Sequence, residues 1–263
     1  MTKIWTMIRK EWAEVFKNKF VLFSVAFMPL LFTAIPLGVL YSMRGATAAE
    51  ALGLSEVPAE MTALCGDLAG AECAQFMIVS QFLMLFLLMP VIIPVTIASY
   101  SIVGEKRTRT LEPLLAAPIS TLELLAGKAL GAAIPAVAVT WGAYIIFMVG
   151  TILITGSPAL TTLLLKPLWL LAMVVVGPLL SVAAVSMAVM VSSRVNDPRV
   201  AEQVSALVML PVLGLFMAQT AGFIQLNQGF VLWLALILAV IDAGLLALAI
   251  QLFQRETILT RWK

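Results

Sequence analysis

The residues able to do chemistry are few and far apart. The chain has no histidine, which removes the commonest metal ligand and the commonest general base. It has two cysteines, Cys65 and Cys73, and three aspartates, Asp67, Asp197 and Asp242. No Cys/His metal cluster can be built from these, and no nucleophile–base pair of an intramembrane enzyme is available. Asp242 lies deep in a long apolar run. An ionised carboxylate at mid-bilayer costs roughly 2.5–3.5 kcal/mol on insertion scales, so it must face the bundle or a cavity. One role is a proton or cation site, as in an ion-coupled secondary transporter. The other is a structural carboxyl bonded to a group at similar depth, such as Ser181 or Thr140. The structural role is preferred, because a proton relay usually has several titratable members and no other acid lies mid-membrane. Fourteen scattered methionines read as adaptable packing rather than copper sites.

The elements that carry these residues are set by composition. Of the 263 residues, 62% are hydrophobic and only 11% charged, against about 25% charged in soluble domains. The apolar residues gather into runs of about 20, the length of helix that crosses a bilayer. An all-α membrane protein of six spans follows, and a β-barrel is excluded because its segments would be short and alternating. The spans are expected at residues 20–43, 76–103, 129–154, 167–191, 201–223 and 230–252. The fifth is interrupted by Pro211 and Gly214 and turns polar after Gln219, so a shorter helix followed by a re-entrant piece is the alternative there. Neither half resembles the other, and the whole chain, 1–263, reads as one transmembrane domain.

Residues 1–19 precede the first span. Ile4, Trp5, Ile8, Trp12, Val15 and Phe16 recur on one side of a helix, with Lys3, Lys10, Glu14 and Lys17 on the other. That is the pattern of a helix lying in the membrane interface. Ala46-Thr47-Ala48 resembles a signal-peptidase site, but the apolar stretch before it is far longer than the ~7–15 residues of a signal peptide. Residues 44–75 form an acidic loop that holds both cysteines, which either close a small disulfide loop or remain free thiols. Six spans put both termini on one side. Fourteen of the 16 Lys and Arg residues fall on that side, leaving only Arg44 and Lys166 opposite. The positive-inside rule then places both termini in the cytoplasm and the cysteine loop outside. A net charge of +2 gives no nucleic-acid reading.

The largest charged interruption is residues 104–128. Thr110 to Ala117 can form a short helix with Leu111, Leu114 and Leu115 on one side, and Pro118 stops it. Ser120-Thr121-Leu122-Glu123 is then a capping-box pattern that starts a new helix into the third span. On these grounds alone the segment is either a docking element or an interfacial hairpin whose basic residues snorkel to headgroups. The order Glu105-Lys106-Arg107, Thr110-Leu111-Glu112-Pro113-Leu114-Leu115-Ala116-Ala117-Pro118 and Gly127-Lys128 resembles the signature of the ABC-2 type permeases, the membrane subunits of a class of ABC exporters. The resemblance extends over the whole chain. Arg109 departs from it, standing where the family frequently has Gly.

The resemblance implies that about 107–117 form a coupling helix docking on a cytoplasmic ATPase subunit, with Glu105, Arg107, Arg109, Leu111, Glu112, Leu114 and Leu115 as coupling residues. It implies two ATPase subunits, a second permease copy or a paralogue, and a place in the plasma (inner) membrane. It implies that spans two and five line the path, with Gln81, Thr96, Ser205 and Met209 as candidates. The chain has no Gly-x-x-x-x-Gly-Lys-[Ser/Thr], so ATP and Mg are expected on the partner, with no cofactor held here and no enzymatic activity of its own. The low intramembrane charge points to an apolar or amphipathic cargo moved outward.

Overall fold

The computed structural model describes residues 2–43, 65, 68, 71–107, 120–221, 223, 224 and 226–252. The side chains of Thr2, Lys106, Arg107, Thr121 and Leu252 are excepted. Among them there is no β-strand. The elements are α1 (Thr2–Lys17), α2 (Lys19–Ser42), α3 (Ala71–Phe86), α4 (Met89–Arg107), α5 (Thr121–Thr155), α6 (Pro158–Leu164), α7 (Pro167–Leu171), a π-helical turn (Ala172–Val176), α8 (Gly177–Arg194), α9 (Pro198–Ser205), a 3-10 turn (Ala206–Val208), α10 (Met209–Thr220) and α11 (Gln228–Leu252). They join into six helices long and apolar enough to cross a bilayer: Lys19–Ser42, Ala71–Glu105, Leu122–Thr155, Pro158–Arg194, Pro198–Thr220 and Gln228–Gln251.

The second and fourth of these form the centre. In each, 56% of the most apolar window is buried, against 28% in the first and third and 17% in the fifth and sixth. The outer helices therefore present long apolar faces, such as Leu232, Trp233, Leu236 and Val240 on α11, as helices facing hydrocarbon do. Some boundaries differ from expectation. The fourth span is preceded by the helix α6 rather than by a plain loop. After α10, which ends at Thr220, the described residues Phe223, Ile224, Leu226 and Asn227 are non-helical.

Prolines organise the packing. In a membrane a carbonyl whose donor is removed must find another partner, because no water is at hand. Pro94 has no N–H to give the Pro90 carbonyl, and Ser181 Oγ on α8 donates to it at 2.8 Å. Pro135 likewise strands the Gly131 carbonyl, and the Trp12 indole of α1 donates to it at 3.0 Å. In the π-helical turn the donor for Met173 would come from Pro178, and the Trp141 indole donates instead at 2.9 Å. Four helices, α1 and the second, third and fourth spans, are thus tied by three proline-orphaned carbonyls.

This account makes a prediction. Ser181→Ala removes the side-chain donor to the Pro90 carbonyl, and a loss of about 0.6–1.7 kcal/mol is expected, the range for hydrogen bonds between membrane helices. Pro94→Ala in the same chain restores a backbone donor and should recover the loss. Unfolding of both variants in mixed micelles measures this. No recovery in the double variant would show that Ser181 acts otherwise.

Candidate functional site

The chain leaves α4 at Arg107 and re-enters α5 at Ser120. The start of α5 is set as its sequence suggests: Ser120 Oγ accepts from the Glu123 N–H at 3.2 Å, and Glu123 Oε2 accepts from the Ser120 N–H at 2.8 Å. Residues 108–119 lie outside the described residues. Arg109, Leu111, Glu112, Leu114 and Leu115 are among them, and the side chain of Arg107 is also not described.

What flanks the segment is well defined. Lys128, on the second turn of α5, is 4% exposed, and its ammonium lies 2.8 Å from Glu11 Oε1 and 2.8 Å from Glu105 Oε2. It also donates to Ser101 Oγ at 3.0 Å, and Ser101 donates to Glu11 Oε2 at 2.5 Å. Lys10 bonds the other Glu105 oxygen and pairs with Glu14 at 3.2 Å. Burial pulls the Lys10 ammonium down. The bond to Glu105 and the charges of Glu105, Glu11 and Glu14 outweigh this and hold its pKa above the ordinary lysine value. That stabilisation is fully present at neutral pH and is lost only as pH rises through the raised value.

Glu105 ends one flank of the segment and Lys128 begins the other, while Glu11 and Lys10 belong to α1. The ion network is therefore a clasp between α1 and both flanks. Burying the three charges of Glu11, Glu105 and Lys128 is costly, and pairing with one another and with the half-buried Lys10 offsets the desolvation. A cavity of about 350 Å³ opens beside the clasp, lined by Glu14, Asn18, Tyr100 and Ser101 among others.

Close backbone contact brings the clasp together. A Cβ on Gly127 would stand 2.7 Å from Met7 Cβ, and one on Gly131 would stand 2.9 Å from Glu11 Cβ. Gly127-x-x-x-Gly131 is a small-residue face against which α1 lies flush, the device by which membrane helices approach closely. The buried stripe of α1 contains Met7, Ile8 and Glu11, with Ile4 and Val15 half-buried. Trp5 and Phe16, grouped with that stripe in the sequence, are 52% and 68% exposed. The face docked on the bundle is thus offset from the apolar side read in the sequence as interfacial, and it includes the acid Glu11. Glu11, Ser101 and Gly131 were not singled out in the sequence. The available signals were an acid inside an apolar stripe and the glycine spacing.

The remaining candidates are placed as follows. Glu105 is 4% exposed and clasped, so it positions the segment rather than offering a free surface. Thr96 donates to Glu202 at 2.6 Å, and Thr220 donates to Gln81 at 3.2 Å. Spans two and five are thus tied at both ends. Ser205 is fully buried and donates to the Ala201 carbonyl at 2.6 Å, and Met209 packs half-buried against the core. Cys65 and Cys73 are joined as a disulfide with Cα atoms 5.4 Å apart. Asp242 is 5% exposed, but neither expected partner reaches it. Ser181 is committed to Pro90, and Thr140 donates to the Ala136 carbonyl at 2.8 Å. Both expected bonds fail because each hydroxyl has a backbone carbonyl nearer to hand.

Six helices long and apolar enough to cross a bilayer define a multi-pass membrane protein. The chain belongs to the ABC-2 family transporter proteins, which it matches over residues 5–254. It is similar to the probable ABC transporter permease protein NosY of Pseudomonas aeruginosa, at 32% identity over 167 residues. The aligned stretch covers 64% of this chain and 48% of that relative, so it spans about half of the relative's length.

Proposed function

We propose that the chain is the permease subunit of an ATP-driven exporter that moves an apolar or amphipathic substrate out of the cytoplasm. A separate ATPase binds and hydrolyses ATP with Mg, because the chain's sequence has no phosphate-binding loop. Two ATPase subunits and two permease copies, identical or paralogous, make the working assembly. Both termini and residues 104–128 face the cytoplasm, and the protein sits in the plasma (inner) membrane. Residues 107–117 dock on the ATPase through Arg107, Arg109, Leu111, Glu112, Leu114 and Leu115. Spans two and five border the path, near Gln81, Thr96, Ser205 and Met209.

The observation that carries this reading is the clasp. A loop that only snorkelled to headgroups would have no use for two buried flanks held by one lysine. A segment that must transmit a push needs both ends fixed to a rigid support, and α1 with α5 supplies one. Motion of a docked ATPase would then reach span two through Glu105 and span three through Lys128.

The test is co-purification with an ATPase subunit, followed by ATP turnover with and without the permease. Leu114→Asp places a charge on the apolar docking side and is expected to abolish permease-stimulated turnover, with permease abundance unchanged. Glu112→Lys should act the same way. Wild-type stimulation in both variants would sink the docking assignment.

A further inference from the structure

The polar groups of the bundle leave one carboxyl unexplained. α11 meets the bundle through a single stripe of Val231, Ala235, Leu238, Asp242, Leu245 and Ala249, spaced four and three residues apart. All six are buried or half-buried, while Val240 and Ile241 beside them are exposed. Asp242 sits at the middle of that seam, and neither of its oxygens has a hydrogen-bond partner among the described residues. The helices packed against α11 offer it no countercharge. From Pro167 to Val191 there is no titratable residue. From Ala129 to Thr155 there is only Tyr144, whose hydroxyl donates to the Leu164 carbonyl at 2.6 Å.

One turn along the same stripe, about 6 Å away, Leu238 lines an apolar cavity of about 60 Å³. Met84, Trp169, Val212 and Leu234 close it, and no polar side chain enters it. Ala172 and Val176, the two ends of the π-helical turn, form part of its wall. Single π turns inside α-helices occur frequently at functional sites.

We propose that this cavity and Asp242 form one binding site for a lipophilic cation, with its alkyl part in the cavity and its positive head against the carboxylate. A carboxylate inside a membrane helix is tolerated when it is paired, and this one lacks a partner among the described residues. A cationic head supplies that partner. An anionic head would be repelled, and a sugar would strand its hydroxyls against apolar walls. Only 17% of the most apolar window of the sixth span is buried, so the seam borders lipid and a solute dissolved in the bilayer reaches it sideways. The proposal rests on the exporter reading for the fate of the bound cation. Binding itself does not depend on that reading.

The test uses the full-length protein in nanodiscs of zwitterionic lipid and equilibrium dialysis against radiolabelled hexyltrimethylammonium, whose charge does not titrate. Saturable binding is expected. Asp242→Asn should weaken it roughly thirtyfold or more, the usual scale for losing one member of a buried charge pair. Asp242→Glu should keep most of it. Leu234→Trp, which fills the cavity and leaves the carboxylate in place, should weaken it as well. Hexanol, with the same chain and no charge, should not distinguish wild type from Asp242→Asn. Equal cation binding by wild type and Asp242→Asn overturns the proposal, as does binding that never saturates. Proton uptake without saturable cation binding also overturns it and makes Asp242 a proton site. If Asp242→Asn does not fold, the Leu234→Trp arm decides, and full binding there overturns the proposal. No arm contains an ATPase, so failure here leaves the exporter reading to its own test.

Discussion

Lys128→Met is expected to release α1 from the bundle and to stop permease-stimulated ATP turnover. Met keeps the length of the side chain and removes its charge. Glu11 and Glu105, each 2.8 Å from the lysine ammonium, are then left buried and facing each other. Removing one partner of a buried pair costs about 3–5 kcal/mol, since the remaining charges lose their compensation. Lys10 still pairs with Glu105, so the damage should concentrate on Glu11 and hence on α1. Hydrogen exchange of the α1 amides, measured on protein in nanodiscs, should accelerate sharply. The added change Glu11→Gln removes the stranded charge and should recover much of the stability. Coupling should stay impaired in the double variant, because the ammonium that joins Glu11 of α1 to Glu105 is gone and Lys10–Glu105 is the main ionic tie left. Unchanged exchange in α1 of the single variant would mean that the clasp holds nothing together.

The second large effect is expected at the glycines of α5. Alanine for glycine in the middle of a helix ordinarily stabilises by roughly 0.5–1 kcal/mol. Gly142→Ala should follow that rule, because its Cβ would meet nothing within 4 Å. Gly127→Ala and Gly131→Ala should reverse it. Their Cβ atoms would come within 3.0 Å of Met7 and Glu11 at the Cβ positions, which are rooted in the α1 backbone and cannot swing aside. The helices must separate, at the 1–3 kcal/mol typical of overpacking, and the ion pairs of Glu11 lengthen with them. The combined loss should exceed that of either glycine alone and should appear as both a lower unfolding midpoint and reduced ATPase stimulation. Equal behaviour of all three alanine variants would remove the close contact from the account.

These expectations show where the chain is legible residue by residue. The six spans were readable because a bilayer demands local lengths of apolar helix, and each run of sequence meets that demand by itself. The capping box at Ser120 and Glu123 was readable for the same reason: both partners sit within one turn. The Cys65–Cys73 pairing was legible as one of two readings because both cysteines lie in one short loop, whereas Asp242 was visible as a residue but not as a contact. Ser181 and Thr140 looked available to Asp242 by depth alone, and each is used by a carbonyl that only the packed structure brings near.

The sequence by itself determined the fold class, the span count and the family resemblance, since composition, run length and a contiguous motif carry them. The tertiary structure decided which face of α1 docks, why Gly127 and Lys128 stand together, and where the orphaned carbonyls of Pro90, Gly131 and Met173 find donors. Glu11 and Lys128 are 117 positions apart, and no local pattern links them. The physical reason lies in the solvent. Lipid is as apolar as the side chains it meets, so hydropathy does not tell one apolar face of a helix from another, and close packing and the pairing of polar groups make the choice.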